Sequence, residues 1–480
     1  MRFVFIVMLA VGFSSGAMAV QSVGQELRDF KRDPRTYMQR VPPKFDKRGS
    51  VIRIPSVLSA DINHRYRPES EIRRNDDPAD LVGGDLSLVT LEAMQAAGLT
   101  SARLGNVPWS GDYWPLASGL LASRPFDEEF SARWRFKDKL EYIAQHPLQT
   151  IYHAADFEGL KRLSIAEKYD LLTGSVSANL TENMWTQASQ AKNEDGEVEP
   201  WMGLCHGWAP AAFMAPRPEH AINVKAFDGT LDLKIFPDEL KGLLTYVWAN
   251  EPFATRFIGG RCQAKQPVVD SNGRVSDPAC LDTNPATWHL SVVNMLGAQA
   301  RSLVMDATYD YEVWNQPVFA YSYTYFNPET GKEVATLAEA RVEKQDYHSD
   351  KFVSFRSSRA VAFVGVAMEV TYMGESRTRM NDQVGNDEER ALHVRYLYDL
   401  EIDRDGHLVG GEWYNNRHPD FLWTPQPQAK PESDWDNLVT GSWDGHSALP
   451  QAWRESAMAA ASQGHVLSHI VDGLLKASRE

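Results

Sequence analysis

The stretch Trp201-Met202-Gly203-Leu204-Cys205-His206-Gly207-Trp208-Ala209-Pro210-Ala211-Ala212 contains a cysteine followed by small and apolar residues. This pattern predicts a loop that turns into a short helix near Cys205. Pro210 then lies beyond the first turn, so the helix is either kinked or begins later. A thiol at a helix N-terminus interacts with the positive end of the peptide dipoles, which favours the reactive thiolate. We therefore predict that Cys205 is a nucleophile; the alternative is a buried, inert cysteine.

The first 19 residues have the pattern of a secretory signal peptide. Arg2 supplies the positive charge, Phe3 to Phe13 form the apolar run, and Ala17-Met18-Ala19 is a cleavage site. The apolar run is too short to span a membrane. We expect a cleaved, soluble protein that is exported to the periplasm or secreted.

The composition limits the classes of partner. The chain has 480 residues and a formal net charge of −15, with its acidic residues scattered along the sequence. This charge argues against nucleic acid and against an anionic membrane as the partner. The length is sufficient for one large domain or two ordinary ones, each with its own core.

Three cysteines are an odd number for an exported protein. Cys262 and Cys280 flank a loop rich in glycine, proline, aspartate and serine, and we expect them to form a disulfide. Closing a loop of this length contributes about 3 kcal/mol in the chain-entropy model. Cys205 then remains as the free thiol.

Two apolar segments further along the chain carry a candidate base and its partner. We interpret residues 287–294 and 303–308 as β-strands separated by a turn around Gly297. In an antiparallel pair, His289 and Asp306 could lie at one end of the sheet, where Asp306 would accept the imidazole N–H and His289 would pair with the Cys205 thiolate. Spacing alone slightly favours the alternative of an ordinary histidine and a strand-end cap.

The order and spacing of Cys205, His289 and Asp306 resemble the transglutaminase superfamily and its cysteine-protease relatives. Val313-Trp314-Asn315-Gln316-Pro317-Val318 resembles the elicitor peptide of the oomycete cell-wall transglutaminases. The loop at 109–115 and the segment from Cys280 to His289 also resemble that family. The chain is identified as a member of the transglutaminase elicitor family over roughly residues 100–425.

The resemblance implies a protein-glutamine γ-glutamyltransferase that depends on calcium. Its α+β fold would be a transglutaminase/papain-like core with the catalytic cysteine on a helix, packed on an antiparallel sheet that carries the histidine and the aspartate. Cys205 matches the nucleophile, His289 the base and Asp306 the orienting residue. The substrates would be protein glutamine and an amine, either lysine or a polyamine, joined through a cysteine thioester.

The match to the elicitor peptide weakens after Val318. Phe319-Ala320 stands where the peptide has Arg-Gly, and Ser322 where it has lysine, so recognition by a plant receptor is not implied. We interpret residues 314–318 as a structural turn that leads into a strand containing Tyr321, Tyr323 and Tyr325.

The predicted organisation has four parts: a signal peptide (1–19), an irregular lead-in (20–99), a transglutaminase-like catalytic domain (100–425), and a linker with a C-terminal helix (426–480). Ser164 is a predicted N-cap, with Glu167 completing a capping box. The C-terminal helix is predicted from Trp453 to Leu475.

Residues 401–412 come close to an EF-hand calcium loop. However, Glu401 occupies the first position, where aspartate is required, and Val409 occupies the ninth. The preceding segment alternates with period two, as a strand does. We therefore predict a β-hairpin with an Asp-Gly turn.

Two other functions stay open. A cysteine protease or deamidase would use the same triad with water as the acceptor, and a secreted recognition protein would keep the fold without catalysis. Amine incorporation measured against peptidase activity distinguishes the enzymes. The oxyanion would be held by the Cys205 N–H and by a tryptophan, Trp201 or Trp185.

Overall fold

The computed structural model describes residues 21–48, 50–52, 74–154, 157–277, 280, 283–308, 311–385 and 389–480. The predicted signal peptide lies outside these residues. The helices are α1 (Val23–Arg32), α2 (Pro34–Met38), α3 (Pro78–Val82), α4 (Leu91–Ala96), α5 (Glu128–Ser131), α6 (Phe136–Gln145), α7 (Leu148–Ala154), α8 (Phe157–Arg162), α9 (Ile165–Thr173), α10 (Asn179–Gln190), α11 (Cys205–Met214), α12 (Pro237–Asn250), α13 (Pro285–Val292), α14 (Leu337–Ala340), α15 (Gln451–Ser462) and α16 (Ser468–Ala477).

The strands are β1 (Lys44–Asp46), β2 (Val51–Ile52), β3 (Ser101–Arg103), β4 (Ile222–Lys225), β5 (Asp232–Ile235), β6 (Thr255–Gly259), β7 (Leu303–Asp306), β8 (Asn315–Asn327), β9 (Lys332–Val334), β10 (Arg341–Glu343), β11 (Ala362–Met373), β12 (Ala391–Ile402), β13 (Leu408–Trp413) and β14 (Phe421–Pro425). The main sheet runs β2-β1-β12-β11-β8-β7-β14-β6. Its pairings are antiparallel. The predicted α+β class is therefore confirmed.

The long strands β8, β11 and β12 form the centre of this sheet, and most of their side chains are buried on both faces. Tyr321, Tyr323 and Tyr325 lie on β8, as predicted. Helix α11 packs against β8 on one side and α12 on the other. The cysteine helix is thus held between the sheet and a second helix.

Helix α9 has the predicted start. The Ser164 side chain accepts a hydrogen bond from the Glu167 N–H, and the Glu167 carboxylate accepts one from the Ser164 N–H. The predicted hairpin also forms, with β12 pairing with β13 across the 403–407 turn. Cys262 and Cys280 form the predicted disulfide, and Cys205 is the free cysteine.

The predicted strand around His289 is wrong, because residues 285–292 form helix α13. The start signal is local: Asn284 caps the helix by accepting the Ala286 N–H, and Pro285 occupies the first turn. The β-branched residues that suggested a strand are tolerated since the whole helix is buried against the sheet.

The two ends of the chain are more ordered than predicted. In the lead-in, α1 and α2 pack against a second apolar cluster that includes Phe326 and Tyr414, and β1 extends the sheet beside β12. At the C-terminal end the predicted single helix is two helices, which separate at Gly464 in the left-handed conformation (φ 80°). Helix α15 packs on α9 and α16 packs on α12. No helix within the described residues is long and apolar enough to cross a membrane.

Candidate active site

The loop at 108–115 sets the start of α11. The Tyr113 carbonyl accepts a hydrogen bond of 2.6 Å from the Leu204 N–H, one residue before the cysteine. A Cβ at Gly203 would lie 2.5 Å from that carbonyl oxygen, so only glycine allows this approach. At Gly207 a Cβ would lie 2.3 Å from the Thr245 carbonyl of α12. These close backbone approaches therefore explain why glycine stands two residues before and two residues after Cys205. Helix α11 runs from Cys205 through Pro210, so it begins at the predicted position despite the proline.

The Cys205 thiol lies against the elicitor-like hexapeptide. Its Sγ donates to the Val313 carbonyl at 3.6 Å and accepts a hydrogen bond from Asn315 Nδ2 at 3.4 Å. Trp423 Nε1 donates to Asn315 Oδ1 at 2.7 Å and holds the amide with its N–H toward sulfur. The interpretation of this segment as only a structural turn is therefore wrong, because its first residues form one wall of the thiol site.

Asp306 lies directly across from Asn315 in the β7–β8 pair. Its carboxylate accepts hydrogen bonds from the Trp314 N–H at 2.8 Å and from Thr308. The Asp420 carboxyl group lies close enough to Asp306 for each group to influence the pKa of the other. Burial raises the pKa of Asp306 to about 7. Burial and the charge of Asp306 raise the pKa of Asp420 well above its usual range.

His289 lies elsewhere in the fold. Its Nδ1 is 2.9 Å from the Tyr398 hydroxyl, and its ring centroid is 4.7 Å from that of Tyr323. Tyr323 is eight residues beyond Asn315 on β8. Burial lowers the pKa of His289 to about 3. The structure therefore brings Cys205 and Asp306 together and does not bring His289 to either of them.

The alternative histidine, His206, is adjacent to the thiol only in sequence. Successive side chains on a helix point about 100° apart. Its ring hydrogen-bonds to the backbone of Ala249 on α12, and burial lowers its pKa.

The two tryptophans considered for the oxyanion are also placed differently. Trp201 Nε1 already donates to Glu199 at 2.6 Å. Trp185 packs against Phe130 of α5 and Phe136 of α6. Helix α11 has no side-chain cap at its start, so the N–H groups of its first turn are the donors suited to an oxyanion here.

A profile of the transglutaminase elicitor family matches residues 88–441. The chain belongs to this family. The crystal structure of the GP42 transglutaminase from Phytophthora sojae has a similar fold, with a TM-score of 0.53 and 21% sequence identity over 85% of this chain and 99% of that one. No curated protein matches the chain. Membership of the transglutaminase elicitor family thus rests on sequence, and the shared fold on structure.

Four residues of the site in this transglutaminase elicitor family member were not predicted from the sequence. Asn315 contacts Cys205, Trp423 holds the Asn315 amide, and Asp420 lies beside Asp306. Glu375 follows β11 and raises the pKa of the thiol. Asn315 stood inside the hexapeptide and could have been considered as a thiol contact. The other three are distant in sequence, and only the strand order brings them together.

The hairpin at 401–412 does not fit a calcium ion. Glu412 forms an ion pair with Arg274 at 2.7 Å, and Glu401 accepts hydrogen bonds from Arg356 and the Ser357 N–H. Within the described residues, no group of three or more histidine, cysteine, aspartate or glutamate side chains could hold a metal ion. Calcium dependence stays a prediction from the family resemblance.

Burial raises the pKa of the Cys205 thiol to about 11, and the charges of Glu375 and Asp306 act in the same direction. The expected low pKa is therefore wrong for this resting arrangement, since the dipole of a short helix does not offset burial among carboxylates.

We expect alkylation of Cys205 by iodoacetamide to be slow at neutral pH and to accelerate up to about pH 11. A rate that stays high in mildly acidic solution would contradict this arrangement.

A variant at His289 tests the observed geometry against the predicted triad. We expect His289→Gln to leave the pH profile of Cys205 alkylation unchanged, because the ring contacts Tyr398 and Tyr323, whereas the thiol contacts Asn315 and the Val313 carbonyl. The glutamine can still bond to the Tyr398 hydroxyl, and stability should fall by about 1–3 kcal/mol through lost packing. A profile shifted by more than half a pH unit would place the imidazole beside the thiol.

Proposed function

We propose that this chain is a protein-glutamine γ-glutamyltransferase in which Cys205 is the nucleophile and Asp306 is the proton acceptor. The observation that carries the proposal is the position of the one free thiol. It lies at the start of α11 and contacts Asn315, which pairs with Asp306 on the neighbouring strand, in a member of a family named for transglutaminases. His289 has no part in this mechanism, because its contacts are with Tyr323 and Tyr398.

The first half-reaction forms the thioester. Asp306 takes the thiol proton, and the Cys205 sulfur attacks the carbonyl carbon of a glutamine γ-carboxamide. Asn315 donates its amide N–H to the sulfur and stabilises the thiolate. The proton held by Asp306 then passes to the departing amide nitrogen, which leaves as ammonia. A base whose pKa lies near neutrality suits both transfers.

The second half-reaction consumes the thioester. An amine from a lysine side chain or a polyamine attacks the acyl carbon, an amide bond forms, and the Cys205 thiol is released. Water in place of the amine gives a deamidase, and a peptide bond in place of the glutamine amide gives a protease. Of these three activities, the family supports the transferase.

The proposal is tested by trapping the acyl-enzyme. The purified chain is incubated with a glutamine-containing peptide and quenched in acid, and intact mass is measured. We expect an adduct equal to the peptide minus ammonia, mapped to Cys205 and converted to an amide by added monodansylcadaverine. Cys205→Ala is the matched control and should show neither species. A peptide cleaved at its backbone, or no adduct with any glutamine donor, would contradict the proposal.

We also propose that the protein acts outside the cytoplasm. The signal-peptide pattern of residues 1–19 and the Cys262–Cys280 disulfide both support export. Fractionation of a producing cell, with the Cys262–Cys280 bond verified in the exported fraction, tests this point.

A further inference from the structure

A second carboxylate lies on the other side of Asn315 and is not used in thioester formation. Glu375 follows the end of β11 by two residues and accepts a hydrogen bond of 2.5 Å from Gln316 Nε2. Its charge raises the pKa of Cys205 and also that of Tyr113. The Ser376 N–H donates to the Gly111 carbonyl at 2.8 Å, so Glu375 lies beside the 108–115 loop that contains Tyr113, and its Gln316 contact is the residue after Asn315.

Two aromatic rings belong to the segments whose backbones contact the thiol and the start of α11. The ring centroids of Tyr113 and Trp314 are 5.4 Å apart at an interplanar angle of 56°. The Tyr113 carbonyl holds the start of α11, and Trp314 follows the carbonyl that accepts the thiol proton. Glu375, Tyr113 and Trp314 are all partly exposed. Aromatic faces beside a carboxylate attract an alkyl ammonium group and also contact its methylene chain.

We propose that Glu375, together with Tyr113 and Trp314, binds the ammonium group of the incoming amine beside the Cys205 thioester and accepts its proton. This inference rests on the proposed function and assigns the residue that selects a cationic amine over water. Asp306 serves the first half-reaction and Glu375 the second. The two carboxylates lie on opposite sides of Asn315 at one end of the sheet.

The Glu375 carboxylate takes one proton from the ammonium group, which leaves a neutral amine. The nitrogen lone pair attacks the thioester carbon, a C–N bond forms, and the C–S bond breaks. The departing Cys205 thiolate takes the second proton from nitrogen and becomes the thiol again. Glu375 then releases its proton to solvent.

The surroundings of Glu375 are compatible with this role. Burial raises its pKa, and the charges of Lys44 and Arg390 partly oppose that shift. Arg390 donates to the Glu375 backbone carbonyl at 3.0 Å. A carboxylate with a raised pKa is a better proton acceptor toward an ammonium group, whose own pKa is about 10.4 in lysine.

The test compares two nucleophiles on one acyl-enzyme. Cadaverine is cationic near neutral pH, whereas hydroxylamine is largely uncharged. For Glu375→Gln we expect KM for cadaverine to rise at least about tenfold more than KM for hydroxylamine, with the same glutamine peptide as donor. Glu375→Asp should recover part of the preference for cadaverine. Glu369→Gln is the matched control, because Glu369 is exposed on β11 and pairs with Arg395.

The outcomes are distinguishable. An equal rise in KM for both nucleophiles would mean that Glu375 only positions the strand ends, and would overturn the inference. An unchanged cadaverine KM would overturn it as well. If the unmodified chain forms no thioester with any glutamine donor, the proposed function itself fails, and this result is visible before any Glu375 variant is made.

Discussion

Asp306→Asn is expected to slow acyl transfer by about two to four orders of magnitude, the usual contribution of a general acid–base group. The asparagine cannot take the thiol proton, whereas its Oδ1 can still accept the Trp314 N–H that the aspartate holds at 2.8 Å. The fold around the site should therefore persist. The measurement is the rate of thioester formation in a single turnover, followed by the release of ammonia.

The pH dependence provides a second measurement of the same prediction. Because Asp306 acts in its deprotonated form and its pKa is raised to about 7, the rate should increase as the pH rises through about 7. The midpoint of this pH–rate profile belongs to the Asp306–Asp420 pair and not to one residue. Folding raises this pKa, so the stability gained from the protonated carboxyl group is lost as the pH rises through about 7.

Asp232→Asn is a suitable control, since Asp232 is exposed on β5 and pairs with Lys225. It should leave the rate and the pH profile unaltered. If Asp306→Asn retains more than a tenth of the rate, another group accepts the thiol proton, and Glu375 is the first candidate.

Lys168→Met is expected to lower the free energy of unfolding by about 3–5 kcal/mol. Lys168 Nζ lies 2.6 and 2.8 Å from the two carboxylate oxygens of Glu239, and both side chains are almost completely buried, at 0% and 1% exposure. Removing the cation leaves the Glu239 carboxylate buried without its counter-charge. Urea denaturation followed by tryptophan fluorescence measures the change.

The double variant Lys168→Met/Glu239→Gln separates the unpaired charge from lost packing. Glutamine at position 239 is neutral and can still accept the Phe236 N–H that caps α12. We expect the double variant to recover most of the lost stability, because a neutral pair in a buried site is often as stable as the ion pair. A single variant that loses less than 1 kcal/mol would mean that Glu239 is neutral or hydrated. Helix α12 supports the cysteine helix, so this pair also stabilises the position of the thiol.

Several features of this protein follow from its sequence alone. The capping box at Ser164 and Glu167, the helix that begins at Cys205 and the hairpin at 403–407 depend on residues within a few positions of each other. Such signals act locally and hold in most tertiary settings. The pairing of Cys262 with Cys280 was expected from the odd number of cysteines in an exported chain and from the loop that the two flank. The elicitor-like hexapeptide indicated the family, which the profile match confirms.

The arrangement of the site was decided by the tertiary structure. A one-residue change of register would turn Asn315 and Asp306 to the opposite face of the sheet, and no local pattern sets that register. The thiol pKa follows from burial and from carboxylates on β7 and after β11, which are far from Cys205 in sequence. His289 satisfied the order expected of a triad, but its capped helix carries it to Tyr323 and Tyr398. Chain order is a property of sequence, whereas distance and desolvation are properties of the packed fold.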